Sequence, residues 1–264
     1  MIVLRCLLCG VLIFFACNAW AQDAKSFVRR AVQSELKADA GDNSHWLYYE
    51  TDQKPSDSVE QWVAETSKGS LRRVVKKNGQ AIPLNEQRGK MQEFVESPEA
   101  QAKQRHDGRH DDKQATQMLK LLPNAFIWTD KGTQGENRIL HFQPDPKFHP
   151  PNYEARVFAA MEGDMVVNTS QLRIASLKGH LIHEVKFGLG ILGELKQGGT
   201  FDVERRNIGQ HVWVITESHI NVHGHALLFK NISEQEDDVK SKFERLPGNL
   251  SLHAAEKKLL EQTQ

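Results

Sequence analysis

Cysteine is nearly absent from this chain. Of 264 residues only three are Cys, and Cys6, Cys9 and Cys17 all fall at the very start. If that start is removed, the rest has no disulfide framework, no thiolate metal site and no cysteine nucleophile. A charge excess is missing too: Lys plus Arg and Asp plus Glu both number 34, which gives no ground for expecting nucleic acid or an anionic surface as partner. Long apolar runs are lacking apart from LLCGVLIFFAC near the N-terminus, too short for a comfortable membrane span. There is no internal repeat, no low-complexity segment, no H-E-x-x-H and no G-x-S-x-G.

That N-terminus carries its own pattern. Arg5, the apolar stretch, and Ala19-Trp20-Ala21 before Gln22 are the marks of a secretory leader cleaved after Ala21. The expectation is a signal peptide over 1–21 and a mature chain exported to the periplasm. An alternative reads Phe14-Phe15-Ala16-Cys17 as a poor lipobox, with the protein anchored by lipid at Cys17.

Beyond the leader the chain reads as helix, then mostly strand. Phe27, Val28, Ala31, Val32 and Leu36 stand near helical spacing, and ADAGDNS ends that helix. HWLYYETD, VEQWVAETS and SLRRVVKK are strand-like, with Asn78-Gly79 as a turn. From Leu84 to Leu122 the chain turns charged, with thin apolar stripes at Met91, Phe94 and Val95 and again near Met118 to Leu122. Two helices are expected there, parted by a loop around Asp107-Gly108 and ended by Pro123. NAFIWTDKG and NRILHFQPDP return to strand, and Pro144 to Pro151 make an extended connector. Asn168 to Ile232 is one long meander: Val212, Val214, Ile220 and Val222 share a face, with His211, Glu217, His219, Asn221 and His223 on the other. Trp213 and Ile215 interrupt that polar side, so its middle is expected to be covered. The acidic run Glu234 to Asp238 reads as a solvated turn, and the end as an exposed segment with a short helix.

Two constellations could carry chemistry. Gly188-Leu189-Gly190-Ile191-Leu192-Gly193 matches G-x-G-x-x-G, yet Glu194 to Gln197 leads into Gly198-Gly199 and another strand, not the helix whose N-terminus would receive a pyrophosphate. What remains is an apolar, glycine-jointed lip of Phe187, Leu189, Ile191, Leu192 and Leu195, either tucked under the sheet or offered to an acyl chain. The twelve histidines include His106 and His110 beside Asp107, Asp111 and Asp112, but most read as solvated polar-face residues. No catalytic residue, cofactor or metal is assigned. Catalysis by a His/Asp metal-dependent hydrolase stands as the third reading.

The succession of leader, helix, meander, helical pair and a second meander ending in HGHALLFKNIS resembles the exported outer-membrane lipoprotein-sorting superfamily, which includes the LolA-type carriers. MEGDMVVNTSQLRIASLKGHL looks like that family's hairpin. VKFGLGILGELKQGGTFDVERR with HVWVITESHINVHGHALLFK looks like a bacterial exported branch of unknown function. The resemblance implies a mainly β (α+β) fold: an unclosed antiparallel β-barrel with a helical lid. It would be a single domain over 22–245, with a helical insertion at about 84–122 and a C-terminal tail over 246–264. It also implies a hydrophobic cavity, along which Phe187, Leu189, Ile191, Leu192, Phe201, Val212, Val214, Met91 and Phe94 are placed. The function expected is a non-catalytic periplasmic binding or carrier module for a lipid, acyl chain or lipoprotein. The alternative is an envelope protein-interaction or sensing module without small ligand. No nucleic acid and no membrane span in the mature chain are expected.

Overall fold

The structure is a computed structural model, describing residues 23–187, 193–226 and 235–263. It is mainly β, with one large unclosed antiparallel sheet and a few helices. Helix α1 covers 23–41. A meander comes next: β1 (His45–Lys54), β2 (Asp57–Thr66), β3 (Gly69–Lys77) and the two-residue β4 (Gln80–Ala81). Helices α2 (Leu84–Val95) and α3 (Pro98–Ala125) then lead to β5 (Phe126–Gln134), β6 (Asn137–Pro144), a 3-10 turn (Glu154–Ala160), β7 (Met161–Asn168) and β8 (Arg173–Leu181). The short strands β9 (Val185–Phe187), β10 (Gly193–Leu195) and β13 (Gly224–Ala226) form a separate three-stranded sheet. The main sheet is completed by β11 (Thr200–Asn207), β12 (Trp213–Asn221) and β14 (Gln235–Leu246), with α4 (Leu252–Leu260) last. Its strand order is β4-β3-β2-β1-β14-β12-β11-β8-β7-β6-β5.

Two expectations are corrected here. The acidic run is no turn: β14 sits mid-sheet, bonded on one side to β1 and on the other to β12, and joins the N-terminal meander to the second one. Its charges are tolerated because neighbouring strands answer them. Lys240 reaches Asp238 at 2.6 Å and Glu50 at 3.5 Å, Glu236 meets Lys54 at 3.1 Å, and Asp237 meets His219 at 2.6 Å. The helix break also lies elsewhere. It falls at Glu96–Ser97, where the Ser97 hydroxyl accepts from the Ala100 N–H at 3.1 Å and Pro98 occupies the first turn. Gly108 stays inside α3, at a cost of about 1 kcal/mol against alanine, and Pro123 lies within the last turn rather than ending the helix before it.

α3 is a strap. Its 28 residues span about 42 Å at 1.5 Å per residue. Near its start the Gln104 carboxamide accepts from Ser70 N–H at 2.7 Å and donates to Ser70 C=O at 3.1 Å, standing in for a neighbouring strand on the outer edge of β3. Its far end buries Leu122 and Ala125 in the largest core. Between these anchors residues 106–113 are all exposed.

The sheet buries different faces at its two ends. β1 alternates: Leu47 faces Trp62, Ala64, Leu71, Met91 and the α4 residues Leu252, Ala255 and Leu259, whereas Trp46 and Tyr48 face Val63 on the other side. The largest cluster lies on that second side over β5 to β8. There α1 lays Phe27, Val28, Ala31 and Val32 against Phe126, Trp128, Phe142, Met165 and Phe158. The interior there is packed with aromatic rings, Phe126 contacting Trp128, Phe142 and Phe158 with centroids 4.8 to 5.8 Å apart.

Two buried charges lock the helices down. Glu35 of α1 is 1% exposed; it accepts from Arg173 Nε at 2.9 Å and from the Ile174 N–H at 2.6 Å, and Arg205 Nη1 lies 2.7 Å away. Arg73 of β3 donates to Gln87 of α2 at 2.7 Å and to the carbonyls of Leu259 and Gln262 at 2.7 and 2.9 Å. It thereby satisfies orphan acceptors at the end of α4, where the helix dipole is negative. Replacing Glu35 by Gln should cost about 3–5 kcal/mol, because two guanidiniums would be left without their carboxylate. Urea unfolding of the two proteins checks this, and a loss under ~1 kcal/mol would show that the cluster is not holding α1.

Candidate ligand cleft

The centre of the sheet is less buried than its two ends. β11 has no fully buried side chain, and β12 has only Thr216. Two rows of paired residues cross this region, one on each face. The first runs Phe142, Gly163, Gly179, Phe201, Ile220, Glu236 across β6, β7, β8, β11, β12 and β14. The two glycines have a steric reason. A Cβ on Gly179 would stand 2.7 Å from the Phe201 ring and closer still to the Glu162 carbonyl. Bare backbone there lets Phe201 lean across to Phe142, centroids 6.5 Å apart and planes at 28°.

The opposite row alternates in charge: His141, Asp164, Lys178, Asp202, His219, Asp237. Each basic group meets an acid: His141 with Asp164 at 2.9 Å, Lys178 with Asp202 at 2.7 Å, His219 Nδ1 with Asp237 at 2.6 Å. The hydrogen bond to Asp237 pushes the His219 pKa above the ordinary histidine value, against the opposing effect of its partial burial.

On the charged face, where that row nears the ends of β8, β11, β12 and β14, a cleft of about 740 Å³ opens. Its floor is the strip of sheet at Gly179, Phe201 and Ile220; the Phe201 and Ile220 side chains turn to the other face, where they pack against the largest core. Its polar wall is Lys178, His180, Thr200, Asp202, His219, Asn221, Gln235 and Asp237. Asp202 Oδ1 is buried with no hydrogen-bond partner among the described residues. A second cleft of about 410 Å³ lies at the end of α1 between Asp39, Asp42, Arg173, Val212, Trp213 and Arg245. Burial raises the Asp39 pKa there, helped by Glu35.

Of the residues placed along a cavity from the sequence, the described ones do not converge. Phe187 is fully buried in the largest core, and Phe201 packs against the same core, with its stretch of strand lying under the cleft. Met91 is fully buried and Phe94 half-buried under α2, against the opposite face of the sheet. Val212 packs with Trp46, Tyr48 and Val63 and borders the smaller cleft, and Val214 is half-buried in β12. Leu189, Ile191 and Leu192 lie outside the described residues. The expected cover over Trp213 and Ile215 is incomplete, since Ile215 is 44% exposed. Lys178, His180, Asp202, Asn221 and Gln235 do not stand out as site residues in the sequence; their alternation is visible there, but their adjacency depends on cross-strand register. His106 lies 3.4 Å from Asp107 on α3, and among the described residues no group of three or more metal-ligating side chains is gathered. No helix among them is long and apolar enough to cross a membrane.

Comparison of the chain with protein-family models, with curated proteins and with solved structures gives no match.

The His219–Asp237 pair makes a pH prediction. A raised folded-state pKa contributes stability that is present below the ordinary value of 6.5 and is lost as pH rises through the raised one. NMR titration of the imidazole should give a midpoint above 6.5, moving down in Asp237→Asn. A midpoint at or below 6.5 in the unaltered protein would refute the pairing in solution.

Proposed function

We propose that this chain is an exported, non-catalytic binding or carrier protein of the bacterial envelope, of the LolA-like lipoprotein-sorting type. Its ligand would carry an apolar part: a lipid, an acyl chain or a lipoprotein. In this reading residues 1–21 are the leader and the mature protein works in the periplasm, or is held at a membrane by lipid on Cys17. The unclosed antiparallel sheet with its helices supports the type.

One observation carries the ligand. The cleft of about 740 Å³ lies on the charged face of the sheet, over Gly179, Phe201 and Ile220, and is walled by polar side chains of β8, β11, β12 and β14. Sites for small ligands commonly measure about 300–1,000 Å³ and combine apolar lining with a few placed polar groups. Beneath the floor the rings of Phe126, Trp128, Phe142 and Phe158 already fill the space. An acyl chain would therefore lie along the cleft, not deep inside the sheet.

A second reading, an envelope interaction or sensing module without small ligand, draws on α3. Eight successive exposed positions, 106–113, on a helix anchored at both ends form a surface suited to a protein partner.

Native mass spectrometry of protein purified from envelopes separates the two. The carrier reading expects a lipid-sized adduct whose occupancy falls at least about tenfold in Asn221→Trp, which fills the cleft from an exposed position at a cost to binding of ~1.4 kcal/mol, with the melting temperature held. Absence of any adduct, together with a captured protein lost on substituting residues 106–113, would replace it with the second reading.

A further inference from the structure

The cleft's charges say more about the ligand than its size does. Both cations of the wall that stand beside acids are already neutralised, Lys178 by Asp202 at 2.7 Å and His219 by Asp237 at 2.6 Å. A phosphate or carboxylate headgroup entering here would find no free guanidinium or ammonium and would face two carboxylates. Like charges brought close in a partly desolvated cleft repel, so an anionic headgroup is disfavoured.

What the wall leaves open is hydrogen-bonding capacity of both kinds. Asp202 Oδ1 is an acceptor, buried and without a donor among the described residues. Such an atom is costly until a donor reaches it. Nearby, the Asn221 carbonyl oxygen accepts from Gln235 at 3.3 Å, leaving the Asn221 amide N–H groups, together with the Thr200 hydroxyl and the His180 ring, to face the cleft. Acceptors and donors alternating within one wall match a group that presents several hydroxyls, each able to donate and accept.

We infer that the cleft takes a neutral, polyhydroxylated headgroup, sugar-like or glycerol-like, with Asp202 Oδ1 accepting from one of its hydroxyls. This rests on the carrier reading for the apolar part and goes beyond it for the polar part. Lys178 acts as a positioning residue: it holds the other oxygen of Asp202 and keeps Oδ1 turned to the ligand.

The probes are dodecyl maltoside below its micelle concentration, free maltose, and dodecyl phosphate, titrated calorimetrically into the full mature protein. The expected result is maltoside binding at least about tenfold tighter than dodecyl phosphate, the scale of one hydrogen bond to a charged group. Asp202→Ala should then invert the preference, because it removes the acceptor and unmasks the Lys178 ammonium: maltoside weakens and dodecyl phosphate tightens. Simple misfolding cannot produce that inversion, since it would weaken both. Asn221→Ala, which leaves the ion pairs in place, should weaken maltoside alone.

Dodecyl phosphate binding as well as or better than maltoside to the unaltered protein would overturn the headgroup inference while keeping the carrier reading. Maltose binding with no contribution from the alkyl chain would keep the headgroup inference, point to a free glycan, and overturn the carrier reading. Binding of none of the three would overturn both.

Discussion

The structure depends on one buried carboxylate. Glu35 is the point where α1 meets the sheet, and it does so through two arginines on different strands, Arg173 of β8 and Arg205 of β11, plus the backbone N–H of Ile174. A single ion pair in such a place would be a weak stabiliser, because desolvating both charges offsets their attraction. Here one carboxylate accepts from three donors in contact with it, so its lone pairs are filled and the register between helix and sheet is fixed. The apolar face of α1 then has one way to lie. Phe27, with Arg138 stacked over its ring at 4.4 Å, and Val28, Ala31 and Val32 close over the aromatic cluster.

Much of this arrangement is written in the chain and some of it is not. The helix of α1 is legible from the spacing of Phe27, Val28, Ala31 and Val32, and the strands from HWLYYETD onward are legible by alternation. Glu35 is not, because a charged residue on the apolar stripe of a helix looks like an error until Arg173, 138 residues away in sequence, is brought to it. β14 is hidden for a related reason. QEDDVKSKFERL alternates acid and base with little apolar content, and reads as solvent-facing until its neighbours supply the opposite charges. The start of α3 is legible after all: Ser97-Pro98 is a cap and first-turn pair, a stronger signal than the lone Gly108.

The candidate site is legible only as a face. His219 and Asn221 can be assigned to the polar side of their strand, and Phe201 to a strand beside it. That His219 stands between Asp202 and Asp237 requires two registers, and a slip of one residue in either would send these groups to the other face. The apolar residues mislead for the opposite reason. Met91, Phe94 and Phe201 all look like lining for one cavity, but α2 packs on the face of the sheet opposite to the Phe201 cluster, so the three cannot share a ligand.

That division of faces also places the cleft. α2 and α4 cover one side of the sheet over β1 to β3, and α1 covers the other over β5 to β8. Strands β11, β12 and most of β14 lie between these two covers, with α1 reaching β11 at Arg205 through Glu35. Where no described helix lies over it, the sheet must make its faces tolerable to water with its own side chains. One face does so with a ladder of matched charges, the other by leaning Phe201 over the glycines of β7 and β8 towards Phe142. The cleft lies on the first of these faces, near the strand ends, so its polar wall follows from the topology. A strand as polar as β14 at the centre of the sheet is what keeps that ladder continuous from His141 to Asp237.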